Sequence, residues 1–271
     1  MSTRHATGHR MATVSLGALV LVVTGAPVVA RAQEPSPADG ASVAAPSPTV
    51  QAMSDGSFAP LTIPARVGST AAFAWGLSGY DTSRKAGLFD AIAEVRLWGP
   101  IALRGGATYS NESDRLRPNI GARVQLLRQG AHGVDGSLSV FYKAEGFTEP
   151  EGEIETTLAV AHAFDALTVA GNLVYGQDPE GNERDGEIRV NVSRRGARLA
   201  YGVDARARFA LGTQHGRAAT SEATLDAMGG PLVTYALGPV APFAEIGPSV
   251  FRLAGETRAG VAAFGGLGTA F

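Results

Sequence analysis

The chain has 271 residues, no cysteine and a formal net charge of −2. The absence of cysteine excludes a disulfide framework, a thiolate nucleophile and a thiolate metal site, and the slightly acidic balance gives no reason to expect a nucleic-acid partner. Glycine is frequent, at 35 residues, which suits a strand-rich protein with many tight turns.

Residues 1–32 have the pattern of a secretory signal peptide. A basic start precedes a short apolar core at residues 16–23, and an Ala-Arg-Ala sequence ends at Ala32. The apolar core is short for a membrane-spanning helix, which needs about 20 residues. The pattern therefore predicts export, with cleavage between Ala32 and Gln33.

Residues 33–66 are dominated by Pro, Ala and Ser and show no hydrophobic period. This composition predicts a disordered periplasmic tether. A passive leader is the favoured interpretation. The functional alternatives are a spacer and a segment that enters the lumen of the structure that follows.

Residues 67–271 alternate between apolar side chains and small, polar or charged ones, in blocks of about a dozen residues. This is the length and pattern of a tilted strand that crosses a membrane. The predicted strands cover residues 68–80, 86–98, 100–111, 117–128, 134–146, 151–164, 166–177, 184–195, 197–211, 221–237, 240–253 and 258–271.

The apolar parity of each strand predicts which of its side chains face outward. In the first, Phe73, Trp75 and Leu77 share the apolar parity and are predicted to face outward. In the last, the inward face is expected to hold Gly, Ala and Arg258, which would make a smooth wall. The chain ends on Phe271, an aromatic residue suited to a membrane interface.

The strand count is least certain near Gly229-Gly230-Pro231, which interrupts the tenth strand and leaves counts of ten or fourteen open. The connections alternate between short turns after even-numbered strands and longer polar loops after most odd-numbered ones. Membrane barrels have short periplasmic turns and longer outer loops. This alternation predicts that both mature termini are periplasmic.

A soluble β-sandwich also alternates, but its strands are usually about 5–6 residues long. Residues 67–271 instead resemble bacterial outer-membrane β-barrel proteins of the porin-like kind, without pointing to a subfamily. The end of the chain, residues 266–271, looks like the C-terminal signal that such proteins show to the barrel-insertion machinery. It departs from that signal at Thr269, where a hydrophobic residue is usual.

The resemblance implies an all-β fold, an antiparallel up-and-down transmembrane barrel of about twelve strands. It also implies location in the outer membrane of a Gram-negative bacterium, with outer-membrane lipid and the insertion machinery as partners. No cofactor or metal is expected, and the oligomeric state is left open.

The inward parity carries charges of both signs in nearly equal number. Acids concentrate on strands two, five and six, and bases on strands eight and nine. The candidate lumen-lining residues are Asp90, Glu94, Arg96, Arg104, Arg123, Lys143, Glu145, Glu153, Glu155, Glu187, Arg189, Arg198, Asp204, Arg206 and Arg208, joined by Asp226, Glu245 and Arg258.

These charges support two interpretations. Facing acidic and basic walls would suit a narrow passive pore for small polar solutes or ions, with weak selectivity because the signs nearly balance. Alternatively, salt-bridged networks would close the lumen, and the barrel would be a structural or adhesion protein acting through its outer loops. The pore is slightly favoured.

A third possibility is a hydrolase that acts on lipid at the outer face. His162 shares parity with Val160 and Phe164 and is expected to face lipid near an interface. The sequence places no serine beside it with matching parity and height, so the geometry of a catalytic triad is not met. We therefore expect no enzymatic activity.

Overall fold

The computed structural model describes residues 46–67, 70–147, 151–179, 183–212 and 223–271. The predicted signal peptide and its cleavage site at Ala32 and Gln33 lie outside these ranges. In the described ranges, no helix has the length and apolar character needed to cross a membrane.

The described residues form twelve strands and two short helices. In chain order they are α1 (Pro48–Ser54), β1 (Ala72–Asp81), β2 (Ala86–Trp98), β3 (Ile101–Ser110), β4 (Arg115–Leu127), α2 (Gln129–His132), β5 (Asp135–Ala144), β6 (Gly152–Phe164), β7 (Leu167–Gln177), β8 (Arg184–Arg195), β9 (Leu199–Gly212), β10 (Ala223–Tyr235), β11 (Val240–Leu253) and β12 (Glu256–Ala270).

Each strand pairs antiparallel with its neighbours in sequence, and β1 pairs with β12 to close the barrel. The closing register runs from Phe73 opposite Ala270 to Asp81 opposite Ala262. The predicted antiparallel up-and-down barrel is therefore confirmed. We call the end where β1 begins and β12 finishes the terminus end, and the opposite end the loop end.

Alternation along the strands separates two faces. Large apolar side chains such as Ile120, Leu173 and Leu267 are exposed on the outside, whereas polar and charged side chains such as Glu94 and Asn172 are buried inside. An outer apolar surface and an alternating polar interior are what a barrel surrounded by lipid requires, because lipid cannot hydrate polar groups.

The irregular tenth strand is one continuous strand. Its pairing with β9 runs through Gly229, Gly230 and Pro231 without a break, while its ladder with β11 is interrupted between Met228 and Leu232. Proline lacks the ladder donor, and this local loss of pairing on one side accommodates it. The predicted count of twelve is thus confirmed over the alternatives.

Residues 46–66 differ from the expected disordered tether. Ser47 caps α1 by accepting a hydrogen bond from the Val50 N–H, and Pro48 occupies the first turn, where its missing N–H costs nothing. We call residues 46–67 the plug segment, because they lie inside the barrel and contact its inward side chains. Residues 33–45 of the expected tether lie outside the described part of the chain.

The expected orientation of the first strand is wrong. Phe73, Trp75 and Leu77 point inward and are nearly fully buried, and the Phe73 ring meets that of Phe58 edge-on, with centroids 6.5 Å apart. The plug segment gives these side chains an apolar neighbour inside the barrel. Sequence parity could not show this, because the alternate positions are also small or apolar.

The last strand also departs from expectation in one respect. Phe264 faces inward and is buried, so the inner wall of β12 is not smooth. Gly266 and Gly268 on the same face lie under aromatic rings: a side chain at Gly266 would collide with Phe243, and one at Gly268 with Phe58. The small residues of β12 therefore make room for those rings.

The C-terminal residue closes the barrel through its main chain. The Phe271 N–H donates to the Ala72 carbonyl at 2.9 Å and the Phe271 carbonyl accepts from the Ala71 N–H at 2.9 Å, while the residue stays 62% exposed.

Deleting Phe271 should lower the folded, heat-modifiable band on gels several-fold. Phe58→Ala, in the plug segment, should leave that band nearly unchanged. Equal yields of the two variants would contradict this role.

Candidate functional site

The loop-end half of the lumen contains a continuous chain of ion pairs with alternating sign, which we call the charge ladder. Its members are Lys143, Glu155, Arg189, Glu187, Arg206, Asp226, Arg84 and Glu112. Arg189 Nε lies 2.9 Å from Glu187 Oε1, and Arg206 Nη2 lies 2.9 Å from Asp226 Oδ2. Each charge therefore has an opposite neighbour, which compensates the cost of its burial.

The ladder follows the inner wall of the barrel from β5 to β10 and then continues into two loops. Arg84, in the connection between β1 and β2, contacts Asp226 at 3.0 Å and lies over the Phe251 ring at 5.1 Å. It also pairs with Glu112 in the next loop. The loop end is thus narrowed by side chains that belong to both walls and loops.

A second charged cluster lies nearer the terminus end. Glu94 forms an ion pair with Arg123 and lies 4.0 Å from Arg104. All three side chains are buried, and the Arg104 guanidinium lies over the Phe141 ring at 5.8 Å. Arg123 is therefore held by one acid and is free to direct its remaining donors toward the lumen.

The other candidate charges lie at different depths. Asp90 accepts a hydrogen bond from Thr108 at 3.0 Å, and Asp204 is fully buried at mid-lumen. Glu245 is buried, and neither of its carboxylate oxygens has a hydrogen-bond partner among the described residues.

The remaining candidates lie toward the two ends of the barrel. At the loop end, Arg208 pairs with Asp185 and Glu145 lies 4.0 Å from Arg115. The others are Arg96 and Arg198, exposed at the terminus end, Glu153, partly buried, and Arg258, paired with Glu256.

Several inward residues were missed by the sequence analysis. Asp185 shares the parity of Glu187 and could have been found from it. Asp81 accepts hydrogen bonds from Ser83 and Ser249 inside the barrel, but it lies on the strand whose parity was misassigned. Asn172 also lies on the inward face and is buried, and it is not among the predicted candidates. The role of Arg84 depends on how its loop folds, which no local pattern indicates.

The plug segment crosses the lumen and is held by polar side chains from three non-adjacent strands. Asp204 of β9 accepts the Leu61 N–H at 2.9 Å and also the Thr62 hydroxyl. Asn172 of β7 accepts the Ile63 N–H at 2.7 Å and donates to the Ile63 carbonyl at 2.9 Å. These bonds satisfy main-chain groups that would otherwise be buried without partners.

Strand β4 holds the end of the plug segment. Arg123 donates to the carbonyls of Pro64 and Arg66, and Gln125 Oε1 accepts the Val67 N–H at 3.2 Å. From β9 through β7 to β4, the segment spans the interior from one side to the other. In this conformation it closes the terminus-end half of the lumen.

The opposite side of the plug segment packs on an apolar surface, which we call the apolar wall. This wall consists of Phe73, Trp75, Leu77, Met228, Leu232, Phe243 and Phe264. It forms one buried cluster with Met53, Phe58 and Leu61 of the segment. The lumen is therefore two-sided, with aromatic and aliphatic groups on one side and charges and amides on the other.

A cavity of about 850 Å³ remains at the terminus end, beside the plug segment. Its lining combines basic and acidic groups, including Arg66, Arg128, Asp135 and Asp165.

His162 Nδ1 contacts the Gly133 carbonyl and its ring lies 4.0 Å from that of Phe164, centroid to centroid. These contacts fit an interfacial histidine. Over the described ranges, no group of three or more His, Cys, Asp or Glu side chains is placed to hold a metal ion.

The sequence matches no protein-family model, and no curated protein matches it. Solved structures do match. The NanC porin aligns with a TM-score of 0.54 at 10% identity, covering 73% of this chain and 100% of that one. The KdgM porin aligns with a TM-score of 0.51 at 11% identity, covering 73% and 99%. At such low identity the likeness establishes the fold, that of outer-membrane porin barrels.

Proposed function

We propose that this protein is an outer-membrane channel, a narrow passive pore for small polar solutes or ions. The observation that carries the proposal is a closed barrel whose exterior is apolar and whose lumen is lined with charges of both signs. Polar interiors of this kind are typical of barrels that conduct. The channel proposal is also supported by the description of the NanC and KdgM structures as porins.

The lengths of the connections support one orientation of the barrel in the membrane. The terminus end has short connections, such as Gly99-Pro100 and Asp165-Ala166, and short turns face the periplasm in outer-membrane barrels. We therefore place both mature termini in the periplasm of a Gram-negative bacterium. Outer-membrane lipid and the barrel-insertion machinery are the partners that this placement requires.

In this conformation the lumen is closed by the plug segment and narrowed by the charge ladder. Conduction therefore requires that the plug segment leave its site, while the ladder can stay in place on the wall. The nearly balanced charges favour weak discrimination between cations and anions, because the described lumen residues form no ring of one sign around the path.

Planar-bilayer recording tests the pore. We expect the intact chain to give discrete but infrequent conductance steps, with a reversal potential near zero in a KCl gradient. A strongly shifted reversal potential would contradict a near-neutral path. If neither the intact chain nor a variant lacking residues 46–65 gives steps at any voltage, the protein is not a pore.

A non-conducting structural or adhesion barrel is the second candidate. The plug segment and charge ladder favour it, because one obstructs the terminus-end half of the lumen and the other narrows the loop-end half. It would act through its outer loops, and the absence of steps in both proteins would support it.

We infer that the protein is not an enzyme. The contacts of His162 with the Gly133 carbonyl and the Phe164 ring support this inference, because a triad histidine must contact its nucleophile.

A further inference from the structure

The plug segment is held in two chemically different ways. Its apolar side chains, including Phe58 and Leu61, are buried with the apolar wall, whereas its main chain bonds to polar side chains on the facing strands. The lumen therefore binds the part of this segment that follows α1 through apolar side chains on one side and through main-chain groups on the other.

The polar contacts are made mostly to the main chain. Asn172 both accepts the Ile63 N–H, at 2.7 Å, and donates to the Ile63 carbonyl, at 2.9 Å. Asp204 accepts the Leu61 N–H. Arg123 donates to the carbonyls of Pro64 and Arg66, which are two residues apart. Every peptide carries these groups, so the same three side chains can hold another extended peptide.

The composition of the segment defines which peptides fit. Pro60 and Pro64 have no N–H, so they remove two donors that would need partners in the lumen, and proline favours an extended backbone. Between them lie Leu61 and Ile63, whose side chains are buried. An apolar peptide that contains proline meets both requirements.

The polar side has more hydrogen-bonding groups than the plug segment uses. The hydroxyls of Ser137 and Ser139 are buried, and neither has a hydrogen-bond partner within the described ranges. The cavity of about 850 Å³ lies beside the segment. The site can therefore accommodate an occupant other than the plug segment itself.

Water alone is a poor replacement for the segment. If the plug segment left, Phe73, Trp75 and Phe243 would be exposed to solvent. Exposing large apolar side chains to water is unfavourable. A peptide with apolar side chains would cover the same surface. Exchange of one peptide for another thus costs less than simple opening.

We propose that the lumen is a binding site for extended, apolar, proline-containing oligopeptides, which displace the plug segment. The site consists of the apolar wall on one side and Asp204, Asn172 and Arg123 on the other. This inference rests on the proposed function, since it names the class of solute that the channel admits.

Binding is tested first without the tethered competitor. In a Trp98→Phe background, Trp75 is the sole tryptophan of the chain, and it lies on the apolar wall. The measurement uses a variant that also lacks residues 46–65. Adding the decapeptide FAPLTIPARV, which reproduces residues 58–67, should change the fluorescence of Trp75 in this variant. The same peptide N-methylated at Leu and Ile should bind about tenfold more weakly or less, because two donors are lost.

Displacement is tested in the otherwise intact chain. The protein has no cysteine, so Ala59→Cys puts a single thiol on a buried position of the plug segment. Its reaction with a membrane-impermeant maleimide should be slow and should accelerate at least about tenfold with millimolar decapeptide, a concentration that matches the effective concentration of a short tether. Thr82→Cys, in an exposed loop, should react rapidly with or without peptide.

The two assays separate failure of this inference from failure of the pore. Fluorescence and labelling do not require conduction, so peptide binding by a barrel that gives no current would reject the pore and retain the site. If a variant conducts but the peptide changes neither its fluorescence nor its labelling rate, the peptide site is overturned and the pore is retained. Equal binding of the N-methylated peptide would overturn recognition through the main chain.

Discussion

Removal of residues 46–65 should raise the open probability of the channel by more than about tenfold. The plug segment crosses the lumen and is held by Asp204, Asn172 and Arg123, and it packs on the apolar wall. Each 1.4 kcal/mol by which these contacts favour the closed state corresponds to a factor of about ten in the ratio of closed to open channels. Deleting the segment removes that bias completely.

The measurement is single-channel recording in planar bilayers, at equal protein and fixed voltage. Deletion of residues 33–45 is the matched control, because it leaves every described residue in place and should record like the intact chain. Phe58→Ala should give an intermediate increase, since it removes the ring that lies on Gly268 but keeps the main-chain bonds. An unchanged open probability after deletion of residues 46–65 would show that the segment does not block the path.

Substitution of Arg123 by alanine should lower the free energy of unfolding by about 3 kcal/mol, the scale expected when one member of a buried ion pair is removed. Arg123 is 1% exposed and pairs with Glu94, which is itself buried. Without Arg123, Glu94 keeps Arg104 at 4.0 Å but loses its direct hydrogen bond. The plug segment also loses the donor to its Pro64 and Arg66 carbonyls.

Urea unfolding in lipid vesicles, followed by the heat-modifiable gel shift, would measure this loss. Arg117→Ala is the control, because Arg117 occupies the same strand and the same parity but is exposed, so its effect should stay within about 0.5 kcal/mol. The double substitution Glu94→Gln with Arg123→Met should cost less than Arg123→Ala alone, because it leaves no unpaired buried charge. A loss below about 1 kcal/mol for Arg123→Ala would refute the structural role.

Much of the barrel could be predicted from residue alternation. Eleven of the predicted strands carried enough contrast between faces for their orientation to be assigned, as on β8, where Ile188 and Val190 alternate with Glu187 and Arg189. On β1 the alternation of Phe73 and Trp75 with Ala74 and Gly76 gives no such contrast, because both faces avoid charge. The orientation there depends on what fills the lumen.

The lumen contacts could be predicted only in part. A period of two places Glu187 and Arg189 on one face, and neighbouring strands bring Arg206 beside them, so their pairing could be anticipated. The bonds that Asp204, Asn172 and Arg123 make to the plug segment join residues more than 50 positions apart in the sequence. No local pattern encodes such contacts, and a Pro- and Ala-rich segment by itself predicts disorder.

By itself the sequence predicted a closed barrel of about twelve strands with an apolar exterior, because lipid outside and hydrogen bonding between neighbours act on every strand through the same period of two. The tertiary structure alone decided what occupies the interior. A segment without a hydrophobic period folds there because the closed wall supplies partners for its main chain and a surface for Phe58, and those partners come together only when all the strands have closed.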